Sequence, residues 1–159
     1  MPRLRFISAA LIVLSLALPE RSVLPVLSAQ GAQGKTTLEV RLAETAPASG
    51  LTEAAVAGSR QKVYLHAEAI ATGADVVRAR VVSGAGGYSF SVAVTFGRAG
   101  ADRLALATAG HAAKPLAILV DGELVAAPIL KGPVSDGVVI TGNFQNDRAE
   151  AIASGLNAR

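Results

Sequence analysis

The chain has 159 residues, 51% of them hydrophobic and 4% aromatic, with no cysteine, two histidines and a formal net charge of +3. The lack of cysteine excludes disulfides, thiolate chemistry and cysteine metal sites, so an apolar core alone must hold the fold. Charges are dispersed without a Lys/Arg run and aromatics are scarce, which excludes a nucleic-acid surface built on phosphate contacts and base stacking.

At the N-terminus, Arg3 and Arg5 precede an uncharged apolar run, Phe6–Leu18, and small residues follow around Ser28 and Ala29. That order predicts a secretory signal peptide over residues 1–29, cut near Ser28 or Ala29. The run is about 13 residues long, whereas a membrane-spanning helix takes about 20. Cleavage with no remaining span is therefore expected, which places the mature chain across the inner membrane, in the periplasm or cell envelope. Cleavage also removes Arg3, Arg5, Arg21 and Glu20, and the net charge falls from +3 to about +1. The basic character of the whole chain thus says little about partners. What remains is about 130 residues, enough for one domain with a true core.

Residues 30–36 are rich in Gly, Ala and Gln and read as a flexible lead-in. Thr37–Leu42 alternates Leu38, Val40 and Leu42 with polar residues, a first strand with one solvated face. Small residues, Pro47 and Gly50 make Glu44–Arg60 a loop, with a short helical turn near Thr52–Val56. Lys62–Leu65 predicts a short strand, and Thr72 is placed to cap a single helical turn through Asp75. Arg78–Ser83 and Tyr88–Phe96 predict two strands joined by Gly84-Ala85-Gly86-Gly87. In the second, Tyr88, Phe90, Val92, Val94 and Phe96 share one face. A helix is expected from Arg98 to His111 with Leu104 and Leu106 as its apolar residues, stopped before Pro115.

Leu116–Val120 is almost wholly apolar and should be a central strand. Asp121-Gly122 suits the positive φ angles of a type I′ turn, so Glu123–Ala127 should fold straight back, and Pro128 marks an edge or a bulge. Val138–Thr141 is a further strand. Asn146 or Asp147 can cap a last helix through Leu156, along which Ala149, Ile152, Ala153 and Leu156 form one stripe. Interleaved hairpins and helices predict an α+β domain over residues 37–159: an antiparallel sheet of about five to seven strands, with two main helices packed on one face.

No chemistry-bearing constellation stands out. Gly34-Lys35-Thr36 resembles the end of a phosphate-binding loop, but the required first glycine falls at Ala29 and no strand–loop–helix context surrounds it. Gly84–Gly87 joins strands and does not open a helix, so it reads as a hairpin loop. His66 and His111 lie in different elements without metal-ligand spacing, and a catalytic zinc takes three protein ligands. His111 reads as a solvated residue at a helix C-terminus. Ser83, Ser89, Ser91 and Ser135, with Asp102, Asp121 and Asp136 as orienting acids, contain no nucleophile elbow. Asp121 is explained by its turn, Glu123 and Asp136 as solvated charges. No catalytic, cofactor-binding or metal-ligating residue is selected, and the chain is not expected to be an enzyme.

Three stretches carry a family likeness: Asp121-Gly122-Glu123-Leu124-Val125-Ala126-Ala127-Pro128-Ile129, Ile140-Thr141-Gly142-Asn143-Phe144, and Arg148-Ala149-Glu150-Ala151-Ile152-Ala153. Together they resemble the "DGxVxxAP" hairpin, "ITGNF" strand and Glu-Ala-rich helix of SecD, a subunit of the SecDF protein-export complex. The similar part is the head subdomain of its first large periplasmic domain. Leu38–Leu42 resembles the family's "LEFRL" strand and Ala69–Asp75 its "VLTGxxL" stretch, so the likeness runs from about Leu38 to Leu156.

The resemblance implies an exported, head-like module without the family's proton-relaying membrane helices. It implies a non-catalytic role with unfolded polypeptide or membrane-bound export components as partners. The alternative is a stand-alone envelope protein that reuses the fold to bind a small ligand or to inhibit.

Overall fold

The computed structural model describes residues 35–84 and 89–158; the expected signal peptide and most of the lead-in lie outside them. Eight strands and two helices follow in order: β1 Leu38–Glu44, β2 Thr52–Ala55, β3 Lys62–Thr72, β4 Val76–Ser83, β5 Phe90–Phe96, α1 Arg98–Ala109, β6 Leu116–Val120, β7 Glu123–Ala126, β8 Gly137–Phe144 and α2 Asn146–Asn157. The α+β class with antiparallel pairing is as expected. The strands are shared between two sheets, one ordered β2-β3-β1-β6-β7 and one ordered β4-β5-β8.

The two sheets meet across a single principal core. Leu38 and Val40 of β1, Leu116, Ile118 and Val120 of β6, Val92 and Val94 of β5 and Ile140 of β8 all enter it. Both helices bury their stripes there, α1 through Leu104 and α2 through Ala149, Ile152, Ala153 and Leu156. Period-2 alternation explains why every residue of β6 is buried. Its odd-facing neighbours Ala117 and Leu119 enter a second cluster with Ala43, Val56, Val63, Leu65, Leu124 and Ala127. Just past β2, the Ala57 N–H donates to the Leu124 carbonyl of β7 at 2.8 Å. The two ends of the five-stranded order thus touch, and the sheet curls around an interior narrow enough to favour alanines.

Several local expectations give way to tertiary structure. Thr52–Ala55 is an edge strand paired with β3 and not a helical turn. β3 runs eleven residues, far past Leu65, because its register against β1 shifts twice: Ala71, Ala69 and Leu65 face Val40, Arg41 and Ala43. The extra residues between Leu65 and Ala71 form bulges, which erase the alternation that marks a strand in sequence. Leu106 is 81% exposed, and the buried face of α1 carries Gly100, Leu104 and Thr108. The cap of α2 is Gln145, without a side-chain bond, and neither Asn146 nor Asp147 fills that role.

The Asp121-Gly122 turn has φ of 51° and 81°, as a type I′ turn demands. The Asp121 carboxylate also accepts the Thr37 N–H at 2.8 Å, tying the start of β1 to the hairpin. Thr72 and Asp75 bracket a single 3-10 turn, with the Thr72 N–H donating to Asp75 Oδ2 at 2.9 Å. Strand β4 ends its sheet order, yet part of that edge is covered. The Asn157 amide accepts the Ala79 N–H at 2.9 Å and donates to the Ala79 carbonyl at 2.8 Å, imitating a neighbouring strand. Asn157→Ala should cost ~1–3 kcal/mol for two lost hydrogen bonds, read as a lower urea midpoint with an unchanged m-value.

Candidate functional site

A concavity of about 410 Å³ lies between the β7–β8 connection and strand β8. Leu116 and Ile118 of β6 form its floor, Pro128, Ile129 and Leu130 one wall, and Val138 and Val139 of β8 the other. The lining is mainly apolar, with Lys131 also on it, because Pro128 ends the β7 ladder and the chain then crosses the mouth of the core with largely aliphatic residues. Leu116 N–H donates to the Pro128 carbonyl and Leu130 N–H to the Lys114 carbonyl, each at 2.9 Å, so the first half of this wall is a frayed continuation of the β6–β7 hairpin.

The second half is held by a buried hydroxyl that sequence reading did not single out. Thr108 of α1 is wholly buried; its Oγ1 donates to the Leu104 carbonyl at 2.7 Å and accepts the Val134 N–H at 2.9 Å. Thr108→Val keeps the shape but leaves the Val134 N–H without its acceptor. A loss of ~1–3 kcal/mol is expected, with faster amide exchange confined to the connection around Val134.

Strand β8 lies at the end of its sheet, and no side chain covers its edge in the way Asn157 covers β4 among the described residues. At its start Gly137 lies so close to β5 that an added Cβ would overlap the Val94 carbonyl. Ile129 and Val139, on the two sides of the cleft, are each 51% exposed. Aliphatic side chains half in water beside an unpaired strand edge form a surface suited to a partner strand.

The sequence-predicted polar candidates are mostly dispersed. Glu123, Asp136, Ser83, Ser89 and Ser135 are exposed, and Lys35-Thr36 leads into β1 with no helix following. Thr36 instead packs against Gly155 of α2, where a Cβ would not fit. The Gly84–Gly87 segment joins the antiparallel pair β4 and β5, and residues 85–88, Tyr88 included, lie outside the described residues.

The histidines differ from expectation. His111 is buried, because the chain after α1 turns back at Ala113, with φ of 64°, to deliver β6 beside β1. His111 Nε2 lies 3.0 Å from the Ala43 carbonyl. His66, in the bulged part of β3, packs edge-on to it with ring centroids 5.9 Å apart. Glu44 at the end of β1 joins them: its Oε1 is 3.5 Å from His66 Nε2 and 3.9 Å from His111 Nε2. The Lys114 ammonium donates to the same oxygen at 2.9 Å. That hydrogen bond, helped by the Lys114 charge, holds the Glu44 carboxyl below its usual range against the opposing effect of desolvation.

No described helix is long and apolar enough to cross a membrane. The family model of the SecDF P1 head subdomain matches residues 49–159. The protein translocase subunit SecD of Rhodobacter capsulatus is 33% identical over 138 residues, covering 80% of this chain and 24% of the relative. SecD of Endomicrobium trichonymphae is 32% identical over 102 residues, covering 63% and 22%. The chain therefore spans about a quarter of the length of these relatives. A solved structure of SecDF, a membrane component that enhances protein export, superposes with a TM-score of 0.61 at 22% identity, over 79% of this chain and 63% of that one. SecDF in its super-membrane-facing form gives the same score at 24% identity, over 79% and 19%. These structures share the fold of the described domain, and the chain belongs to the SecDF P1 head subdomain family.

Proposed function

We propose that this chain is an exported, non-catalytic contact module of the periplasm or cell envelope. It holds extended apolar polypeptide, or an extended segment of a membrane-bound export component, in the cleft beside β8. The observation that carries this reading is the pairing of an apolar cleft with a strand edge that no other described strand pairs with. An added strand gains main-chain hydrogen bonds from the edge, and its alternate side chains find aliphatic walls. The names of the relatives, protein translocase subunits, agree with a polypeptide ligand.

A second reading, a small-ligand binder, draws on the cleft volume of about 410 Å³, within the range of small-molecule sites. One titration separates the two. Unstructured apolar peptides should bind and shift amide signals along β8, while Val139→Lys, which puts a charge at the edge, should weaken binding by roughly tenfold with little change in melting temperature. Stabilisation by a small molecule together with indifference to peptides would favour the second reading.

A further inference from the structure

We propose that Glu44, His66 and His111 form a binding site for a divalent transition-metal ion of the zinc class. Each offers one donor atom, and the three lie within 4.8 Å of one another. Two imidazoles and a carboxylate are a donor set that zinc takes, with bonds of about 2.0–2.2 Å; tetrahedral donors then stand about 3.3 Å apart. The observed 3.5 Å and 3.9 Å from Glu44 Oε1 to the two Nε2 atoms are near that separation before any ion draws them in.

A second observation points the same way. His66 Nε2 is itself shielded from solvent although the side chain is 40% exposed. Its polar neighbour Glu44 Oε1, at 3.5 Å, is too distant for a well-formed hydrogen bond, so an ion between the two would give this nitrogen the partner it lacks. The elements supply both rigidity and adjustment. Glu44 ends β1, whereas His66 sits in the irregular stretch of β3, where a small shift breaks no regular ladder. His111 is buried, and its Nε2, 3.0 Å from the Ala43 carbonyl, carries the ring proton in that contact. Ligation at Nε2 requires the other neutral tautomer, with the proton on Nδ1, and gives up that hydrogen bond.

Lys114 is the group the ion must displace. Its ammonium, 2.9 Å from Glu44 Oε1, serves as the cation in the metal-free chain, and its side chain is 46% exposed on a flexible stem that can swing into water. The ion therefore competes with an internal ammonium, and removing that ammonium strengthens binding.

The test is calorimetric titration of the full chain with zinc chloride, with cobalt(II) as a visible-absorption probe and calcium as a control. One zinc per chain is expected, with the d–d spectrum of a four-coordinate cobalt site and no calcium binding. Glu44→Gln and His66→Ala should each lower zinc affinity tenfold or more, while Lys114→Met raises it. Circular dichroism of each variant establishes that the fold is retained; His66→Gln serves if His66→Ala does not fold. Absence of zinc binding at millimolar concentration would overturn the site, as would binding indifferent to His66 or weakened by Lys114→Met.

Discussion

Leu104→Ala is expected to lower the unfolding free energy by ~2–5 kcal/mol, whereas Leu106→Ala should stay within ~0.5 kcal/mol of wild type. Both leucines lie in the middle of α1, two residues apart, so helix propensity treats them alike. Two residues rotate a side chain by about 200°, which sends Leu104 into the principal core and leaves Leu106 81% exposed. Leu104→Ala opens a cavity beneath the helix that carries Thr108, so the cleft wall loosens along with the core. Urea unfolding of the two variants checks this. Equal losses would mean that α1 does not pack through the Gly100, Leu104 and Thr108 face.

The second large effect is expected at Asp75, where three parts of the fold meet. Its Oδ2 accepts the Thr72 N–H, its Oδ1 receives Arg103 Nη2 of α1 at 2.6 Å, and its carbonyl accepts the Gly97 N–H at 2.8 Å. Gly100 of α1 rests directly on it, an added Cβ coming 2.7 Å from Asp75 Cβ. Burial opposes ionisation of this carboxyl, but the hydrogen bond from Arg103 and those from Thr72 prevail and hold it below its ordinary range. A carboxyl whose folded pKa is depressed contributes stability above its unfolded value of about 3.9, and that contribution fades as pH falls through the folded pKa. Asp75→Asn should therefore cost ~1–3 kcal/mol at pH 7. The cost should shrink as the medium is acidified below about pH 4. Glu44, depressed in the same direction by Lys114, leaves the variant a residual acid slope. Chemical denaturation from pH 7 to pH 3 measures both, and a wild-type to variant difference independent of pH would contradict the ion pair.

Legibility in the sequence followed locality. Asp121-Gly122, the β6 run and the α2 stripe are set by turn chemistry and by a single period, and each forms where expected. The split into two sheets is invisible to periodicity, because alternation says that a residue faces a core but not which strand lies beside it. Thr52–Ala55 has no apolar pattern because it is an exposed edge strand, and its Glu-Ala-Ala invites a helix reading that pairing with β3 overrides. The walls of the cleft were partly readable, since Pro128 ended the hairpin. Its anchor Thr108 was not, for a threonine in a helix gives no sign that its hydroxyl will meet an amide 26 residues away. Nor does spacing foretell that β3 bulges and the turn at Ala113 bring His66, His111 and Glu44 together.

The proposed contact with polypeptide at the β8 edge is tested most directly by site-specific photo-crosslinking in intact cells. Probes at Ile129 and Val139, each 51% exposed beside the cleft, are compared with one at Val77, 56% exposed on β4, the strand whose edge Asn157 engages. Exposure is matched, so the edge and the cleft are what differ. Adducts with polypeptide in transit or with an export component are expected from Ile129 and Val139, and none from Val77. Equal yields from all three positions, or no protein adduct from Ile129 and Val139, would contradict it.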